Sequence, residues 1–176
     1  KEVSVMKFQA HRGVGTEFPE NTMPAFIAAA AQGYDYIELD PAFTADGKCV
    51  IMHDKSINRT CRDKKGTAIK NEIMIADISY EQALQYDAGI AKAYKFRGTQ
   101  IPLLAEALKF AKNTGLAVKL DNKIQYFSDI QTDIFFDTVE KSGAHVGFTS
   151  TNTEYIKKVV ARFPNAEIHY DGYVDE

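Results

Sequence analysis

The sequence predicts an α/β fold in which parallel strands alternate with helices. Short apolar segments of strand character alternate with helical segments after a first hairpin, and their connections contain Gly or Pro, a pattern typical of parallel strands covered by helices. Polar residues also follow several strands at their carboxyl ends, which is where an α/β barrel carries its active site. A doubly wound open sheet uses such ends only around a switch point. These features favour a TIM (β/α)8-type barrel.

The strands and helices are predicted from apolar periodicity and from their end signals. Six strands are expected, at residues 3–10, 34–40, 48–54, 116–123, 145–150 and 166–170. Helices are expected at residues 23–32, 79–89, 103–113, 128–141 and 151–163. Asn21 or Thr22 is a candidate cap for the first helix, with Pro24 in its first turn. Six strands leave the barrel incomplete, with about six of eight strand–helix units present.

The composition favours one globular domain and argues against a nucleic-acid-binding or membrane-spanning protein. The chain has 176 residues, 45% of them hydrophobic, which suits one packed domain over residues 1–176 that lacks the C-terminal barrel units. The net charge of −3, with lysines spread along the chain, provides no basic field for nucleic acid. No window approaches 18 consecutive apolar residues, so no transmembrane segment is expected.

The first residues do not fix the compartment of the protein. They lack a charged-then-apolar signal layout and begin without Met, so either a signal has been removed or the sequence starts inside a longer gene. A cytoplasmic location and a secreted or periplasmic one both stay open.

The stretch from Tyr36 to Asp54 concentrates the chemically active residues. Glu38 and Asp40 are two residues apart, so on a strand they project from the same face. The apolar residues around Glu38 indicate a strand covered on both faces, where a carboxylate pair costs free energy unless a positive group lies between the two acids. A divalent cation with oxygen ligands is one solution. A solvated strand end with two unrelated acids is the alternative.

Several short motifs, in order and spacing, resemble those of the glycerophosphodiester phosphodiesterase family. The strongest are HRG at 11–13, PENT at 19–22, AF at 25–26, ELD at 38–40, TADG at 44–47 and HD at 53–54. Weaker matches follow: RT at 59–60, IP at 101–102, EAL at 106–108 and LDNK at 120–123. The resemblance implies a barrel enzyme that splits glycerophosphodiesters into an alcohol and sn-glycerol 3-phosphate, using one divalent cation, Mg²⁺ or Ca²⁺.

The resemblance also implies which residues hold the cation and the phosphate. Glu38, Asp40 and Asp121 are expected to bind the cation, a Lewis acid toward phosphoryl oxygens. Arg12 offers a planar fork to the phosphate and Lys123 a point charge. The family pattern has Glu where this chain has Asp121, and the shorter side chain brings the metal affinity, more than the fold, into question.

Proton transfer is expected from two histidines. His11 and His53 form the implied acid and base pair, because an imidazole titrates near neutrality. Glu20 and Asn21 are expected to orient His11 or Arg12 from behind the site, or else to cap the following helix. Asp54 is expected to support its neighbours and not to bind the cation.

Two other functions compete with hydrolysis. A lyase-type phospholipase D of the same barrel class shares the two histidines and the acid pair, whereas PENT and Lys123 favour the diesterase. A catalytically silent domain that binds phosphodiesters is the second alternative, motivated by Asp121 and the missing barrel units. The alcohol leaving group stays open, and a second copy of the chain covering the open sheet edges is the expected form of any homo-oligomer.

Overall fold

A computed structural model describes residues 6–172. Its strands are β1 (Gln9–Ala10), β2 (Tyr36–Leu39), β3 (Pro41–Phe43), β4 (Cys49–Ile51), β5 (Arg62–Asp63), β6 (Tyr86–Asp87), β7 (Ala117–Leu120), β8 (Val146–Ser150) and β9 (Glu167–Tyr170). Its α-helices are α1 (Met23–Ala31), α2 (Tyr80–Ala83), α3 (Leu104–Thr114), α4 (Asp129–Ser142) and α5 (Thr153–Arg162). Short 3₁₀ turns lie at Ile75–Asp77, Tyr94–Phe96 and Asn122–Tyr126.

One parallel sheet organises the molecule. Its five strands lie in the order β1-β2-β7-β8-β9, and all of its pairings are parallel. Helices α1, α3, α4 and α5 connect or follow these strands, which confirms the predicted α/β class. Over residues 6–172 the sheet does not close, since β1 and β9 each pair on one side only. The incomplete barrel expected from the sequence matches this arrangement.

The predicted count of six strands in this sheet is wrong by one. Strand β4 pairs with β3 in an antiparallel hairpin outside the parallel sheet. The turn at Asp46 and Gly47 is the reason, because a short turn joins antiparallel neighbours, whereas a parallel neighbour needs a crossover of a dozen or more residues. The first predicted strand is also shorter: β1 covers Gln9–Ala10, and residues 3–5 of that prediction lie outside the described part.

The helix boundaries follow the capping chemistry. In α4, the side chains of Ser128 and Gln131 accept hydrogen bonds from each other's backbone N–H, and Gly143 ends the helix in a left-handed conformation; both are common helix-end arrangements. Helix α1 starts differently, because the Thr22 hydroxyl donates to the Pro19 carbonyl and makes no cap. Asn21 does not cap α1 either, and its side chain reaches Asp40 instead.

The predicted helix at residues 79–89 is much shorter than expected. Ser79 caps α2, but the helix ends at Ala83. The following residues form β6, which pairs with β5 in a second small antiparallel sheet.

Two hydrophobic cores support this framework. The larger core lies between the parallel sheet and its helices and includes Ile37, Leu39, Val118, Leu120 and Phe148. The smaller core packs inside the segment between β3 and α3. Because strand residues alternate between faces, Glu38 and Lys119 lie on the sheet face opposite the helices. Because β2 and β7 are parallel neighbours, the polar residues that follow these two strands meet at the same end of the sheet.

Candidate active site

Three carboxylates converge at the carboxyl ends of β2 and β7. Glu38 is part of β2, Asp40 follows that strand, and Asp121 follows β7, which is the parallel neighbour of β2. One carboxylate oxygen from each residue lies within 4.8 Å of the other two. The backbone N–H of Asp121 donates to the Leu39 carbonyl at 3.0 Å, so the end of the strand ladder fixes its position.

Glu38 is buried with little compensation for its charge. Its side chain accepts a hydrogen bond from the backbone N–H of Arg12 at 3.0 Å, and the residue is 6% exposed. Burial, followed by repulsion from Asp40, raises the pKa of Glu38 to about 7. A positive group at this position would therefore relieve an unfavourable charge.

Asp40 is more deeply buried but has three partners. One oxygen accepts from Lys123 Nζ at 2.9 Å. The other accepts from Asn21 Nδ2 at 2.7 Å and lies 3.4 Å from Arg12 Nε. Lys123 also donates to the His53 carbonyl at 2.8 Å, so this lysine joins β2 to the segment after β4.

The turn after β1 has an unusual backbone that delivers these partners. Arg12 and Asn21 both have positive φ values, 55° and 56°, which are uncommon for residues other than Gly. The Asn21 N–H donates to the Arg12 carbonyl at 2.9 Å. This bond holds both residues where their side chains reach Asp40. Such backbone strain persists where the surrounding structure fixes it, and it is frequent at functional sites.

The two histidines differ in their surroundings. His53 Nδ1 lies 2.7 Å from Asp54 Oδ1, so a proton on Nδ1 leaves Nε2 free to act at the site. The His11 side chain is 68% exposed, and its Nε2 lies 3.9 Å from Glu38. His11 therefore stands at the rim of the site, and His53 is held by a carboxylate beside it.

The chain matches the model of the glycerophosphoryl diester phosphodiesterase family over residues 11–161. The chain belongs to this family. The matched region contains all of the residues described above.

Named relatives agree with this assignment. A glycerophosphodiester phosphodiesterase of Caldanaerobacter subterraneus subsp. tengcongensis is 36% identical over 114 residues, which cover 65% of this chain and 44% of the relative. Human glycerophosphodiester phosphodiesterase 1 is 32% identical over 157 residues, covering 88% of this chain and 38% of the relative. The chain thus spans about half, or less, of the length of these relatives.

A solved structure confirms the predicted fold class. A phosphodiesterase of Oleispira antarctica, solved in complex with the product sn-glycerol-3-phosphate, superposes with a TM-score of 0.77 at 23% identity. The match covers 94% of this chain and 66% of that chain.

Every helix within residues 6–172 is too short or too polar to traverse a lipid bilayer.

The donor set fits the divalent cation that the family implies. Glu38, Asp40 and Asp121 supply carboxylate oxygens, the ligands that hard cations such as Mg²⁺ and Ca²⁺ prefer. Among the described residues, this is the one group of three or more potential ligands close enough to share a metal ion. The poorly compensated burial of Glu38 agrees with a site that is completed by a cation.

The remaining predicted residues are also close to this group. Glu20 Oε1 accepts from Arg12 Nη1 at 2.9 Å, so Glu20 contacts Arg12 and not His11. Asn21 contacts Asp40, as described above. Asp54 lies outside the group of three carboxylates and pairs with His53. The roles assigned to these residues remain predictions.

Sequence reasoning missed one residue, Arg59. Its guanidinium binds Glu20 through Nη1 and Nη2 at 2.9 and 2.7 Å. It also binds Asp54 through Nε and Nη2 at 2.5 and 3.1 Å. The RT pair at 59–60 was a weak part of the family resemblance, and this was the only sequence signal that singled the residue out.

Proposed function

We propose that this chain hydrolyses glycerophosphodiesters to an alcohol and sn-glycerol 3-phosphate. The observation that carries the proposal is the convergence of three carboxylates, two cationic side chains and a carboxylate-held histidine at one end of the sheet. Family membership and the named phosphodiesterase relatives support the same reaction. The sn-glycerol-3-phosphate bound in the Oleispira antarctica structure supports a product of the same class here.

Two side chains bind the phosphate in this proposal. Arg12 and Lys123 each form an ion pair with Asp40, which fixes both basic side chains at the site. Arg12 presents a planar donor pair to the non-bridging oxygens, and Lys123 presents a point charge. Because both groups are positioned before substrate arrives, they stabilise the charge that develops on the phosphoryl oxygens with little reorganisation.

His53 and His11 transfer protons. Asp54 holds the Nδ1 side of His53, so its Nε2 is the atom that accepts or donates a proton at the phosphate ester. His11 lies at the open rim beside Glu38, where the alcohol portion can enter and leave. One histidine removes the proton of the nucleophile while the other protonates the leaving oxygen.

Glu38, Asp40 and Asp121 hold the cation. When bound, a divalent cation polarises the phosphoryl oxygens as a Lewis acid. Asp121 is shorter than the Glu of the family pattern. Ca²⁺ forms longer bonds and accepts a more variable coordination than Mg²⁺, so it tolerates a ligand that reaches less far. We therefore expect Ca²⁺ to support activity better than Mg²⁺.

The first test measures product release from a panel of glycerophosphodiesters with different alcohols. We expect release of sn-glycerol 3-phosphate that EDTA abolishes and that added Ca²⁺ or Mg²⁺ restores. Asp40→Asn keeps the shape of the side chain but removes the charge that binds Arg12 and Lys123. We expect it to lower kcat/KM by about 10³-fold or more.

Matched measurements separate this function from its competitors. Asp129→Asn, an exposed acid of α4 that pairs with Lys158, serves as the control and should keep full activity. A cyclic phosphate as the final product would indicate the lyase-type reaction instead. Diester binding without turnover, in a chain shown to be folded by circular dichroism, would identify a silent binding domain and refute the proposal.

A further inference from the structure

Within residues 6–172, Arg59 is the basic side chain that contacts both Glu20 and Asp54, the two carboxylates that support the site. Its Nε and Nη2 face Asp54, while its Nη1 and Nη2 face Glu20. Such paired contacts are the strongest form of arginine–carboxylate interaction. Glu20 belongs to the loop before α1, and Asp54 belongs to the segment after β4. Arg59 therefore joins two parts of the chain that are far apart in sequence.

Each of these carboxylates has a second partner that points into the site. Glu20 also accepts a hydrogen bond from Arg12 at 2.9 Å. Asp54 lies 2.7 Å from His53 Nδ1. The contacts thus form a continuous line in which basic and acidic side chains alternate, with Arg59 at its centre. Arg12 and His53, at the two ends, are the groups that bind the phosphate and transfer a proton in the proposed function.

We propose that Arg59 is a positioning residue: it holds the two carboxylates that orient the phosphate-binding guanidinium and the acid/base imidazole. The inference rests on the proposed function for the roles of those two groups. With Arg59 removed, Glu20 and Asp54 lose their shared counter-ion and repel each other. The Asp54 carboxylate is then free to leave His53, and Glu20 is free to leave Arg12.

The surroundings of Arg59 make the idea testable by chemical rescue. Its side chain is half exposed and lines a cavity of about 220 Å³ together with Gly15, Glu20 and Lys92. Guanidinium ion can therefore reach the space that an alanine at position 59 would leave. A lysine at this position carries the charge but lacks the planar fork that serves both carboxylates.

The activity arm compares Arg59→Ala and Arg59→Lys with the parent chain at saturating cation. We expect Arg59→Ala to lower kcat/KM roughly 10- to 100-fold, with a lower kcat and a higher KM, because it disturbs both the proton-transfer and the phosphate-binding groups. Millimolar guanidinium should restore part of the loss, whereas sodium or methylammonium should not. Arg59→Lys should lie between the two.

The matched control is Arg162→Ala. Arg162 also bridges two carboxylates, Asp137 and Glu140, but it lies on α5 away from the site. Its removal should leave kcat/KM unchanged. If Arg162→Ala and Arg59→Ala lowered kcat/KM equally, the loss would come from general destabilisation, and the inference would be overturned.

A second arm needs no turnover, so it separates this inference from the proposed function. Imidazole ¹⁵N NMR shifts at pH 8 report which ring nitrogen of His53 carries the proton. The parent chain should show His53 protonated on Nδ1, and Arg59→Ala should show a mixture that guanidinium reverses. An unchanged His53 tautomer in Arg59→Ala would refute the inference. The expected tautomer change in a chain without hydrolytic activity would leave it standing and refute the proposed function alone.

Discussion

Glu38 and Asp40 show how two acids, one on β2 and one just after its end, acquire different properties. Asp40 has a lysine, an arginine and an amide against its two oxygens, so its burial is compensated by fixed partners. Glu38 has one backbone donor and faces Asp40. Asp40 therefore positions Lys123 and Arg12. Glu38 is the carboxylate whose charged form an added cation would stabilise most.

Glu20 provides a pH-dependent test of the contacts that join Arg12, Glu20 and Arg59. Hydrogen bonds from Arg59, with Arg12 also contributing, lower the pKa of Glu20 from 4.5 to about 2. A lowered folded-state pKa means that the ion pairs stabilise the fold above pH 4.5, and that this contribution is lost as the pH falls toward 2. In Glu20→Gln we expect a loss of about 1–2 kcal/mol at pH 7, allowing for solvent screening.

Urea unfolding from pH 7 to pH 2.5 measures this contribution. The difference between the parent chain and Glu20→Gln should shrink below pH 4.5. Glu154→Gln, which breaks an exposed pair with Lys157, should change the unfolding free energy little at any pH. A Glu20→Gln difference that does not vary with pH would contradict the prediction.

Single residues were predictable where a short motif carries them. The motifs HRG, ELD and HD led to Arg12, Glu38, Asp40 and His53, and the structure gathers all four. Arg59 was missed because its importance comes from Glu20, which lies 39 residues away, and no local spacing shows such a contact. The same limit explains Asn21, whose side chain reaches Asp40 instead of capping the helix.

At the level of elements, the turn between β1 and α1 depends on Gly13. A side chain there would place Cβ 2.7 Å from Ala25 Cβ and 2.8 Å from the Ala25 carbonyl carbon, at a φ of +73°. We expect Gly13→Ala to cost about 3 kcal/mol, since it forces α1 away from the strand. It should also lower activity, because the turn carries Arg12.

Gly47 is a matched control for this prediction. It has a φ of +74°, but a Cβ there meets open space, so Gly47→Ala should cost only about 1 kcal/mol for the backbone conformation. Urea unfolding measures both variants. Similar losses in the two would show that backbone conformation, and not the contact with Ala25, makes Gly13 necessary.

Elements were predictable where local signals and tertiary pairing agree. Helices α3, α4 and α5 lie close to their predicted positions, because apolar spacing and end residues point to the same boundaries. The helix expected at residues 79–89 fails after Ala83, where the chain pairs with β5. The short turn before β4 indicates a hairpin. A strand joined by such a turn pairs antiparallel with its neighbour, so β4 should not be counted among the parallel strands.

For the whole molecule, the described sheet leaves two strands with a free side. Over residues 6–172, β1 and β9 are the outer strands. The backbone N–H and C=O groups on the free side of such strands are ready partners for another chain. A full barrel would pair these strands, and the chain spans only part of its longer relatives. The expected homo-oligomer that covers the edges therefore remains a prediction for the 176-residue polypeptide on its own.

Tyr170 allows this prediction to be tested on β9. It is 45% exposed on the outer strand, while Val160 is 44% exposed on α5. We expect the isolated polypeptide to associate with increasing concentration in light-scattering measurements coupled to gel filtration. Tyr170→Lys should shift it to the monomer, because a charge on an outer strand opposes edge-to-edge pairing. Val160→Lys removes a similar exposed apolar group from a helix and should leave the association unchanged. A monomer at all concentrations, or equal effects of both variants, would mean that the edge of β9 does not pair with a second copy.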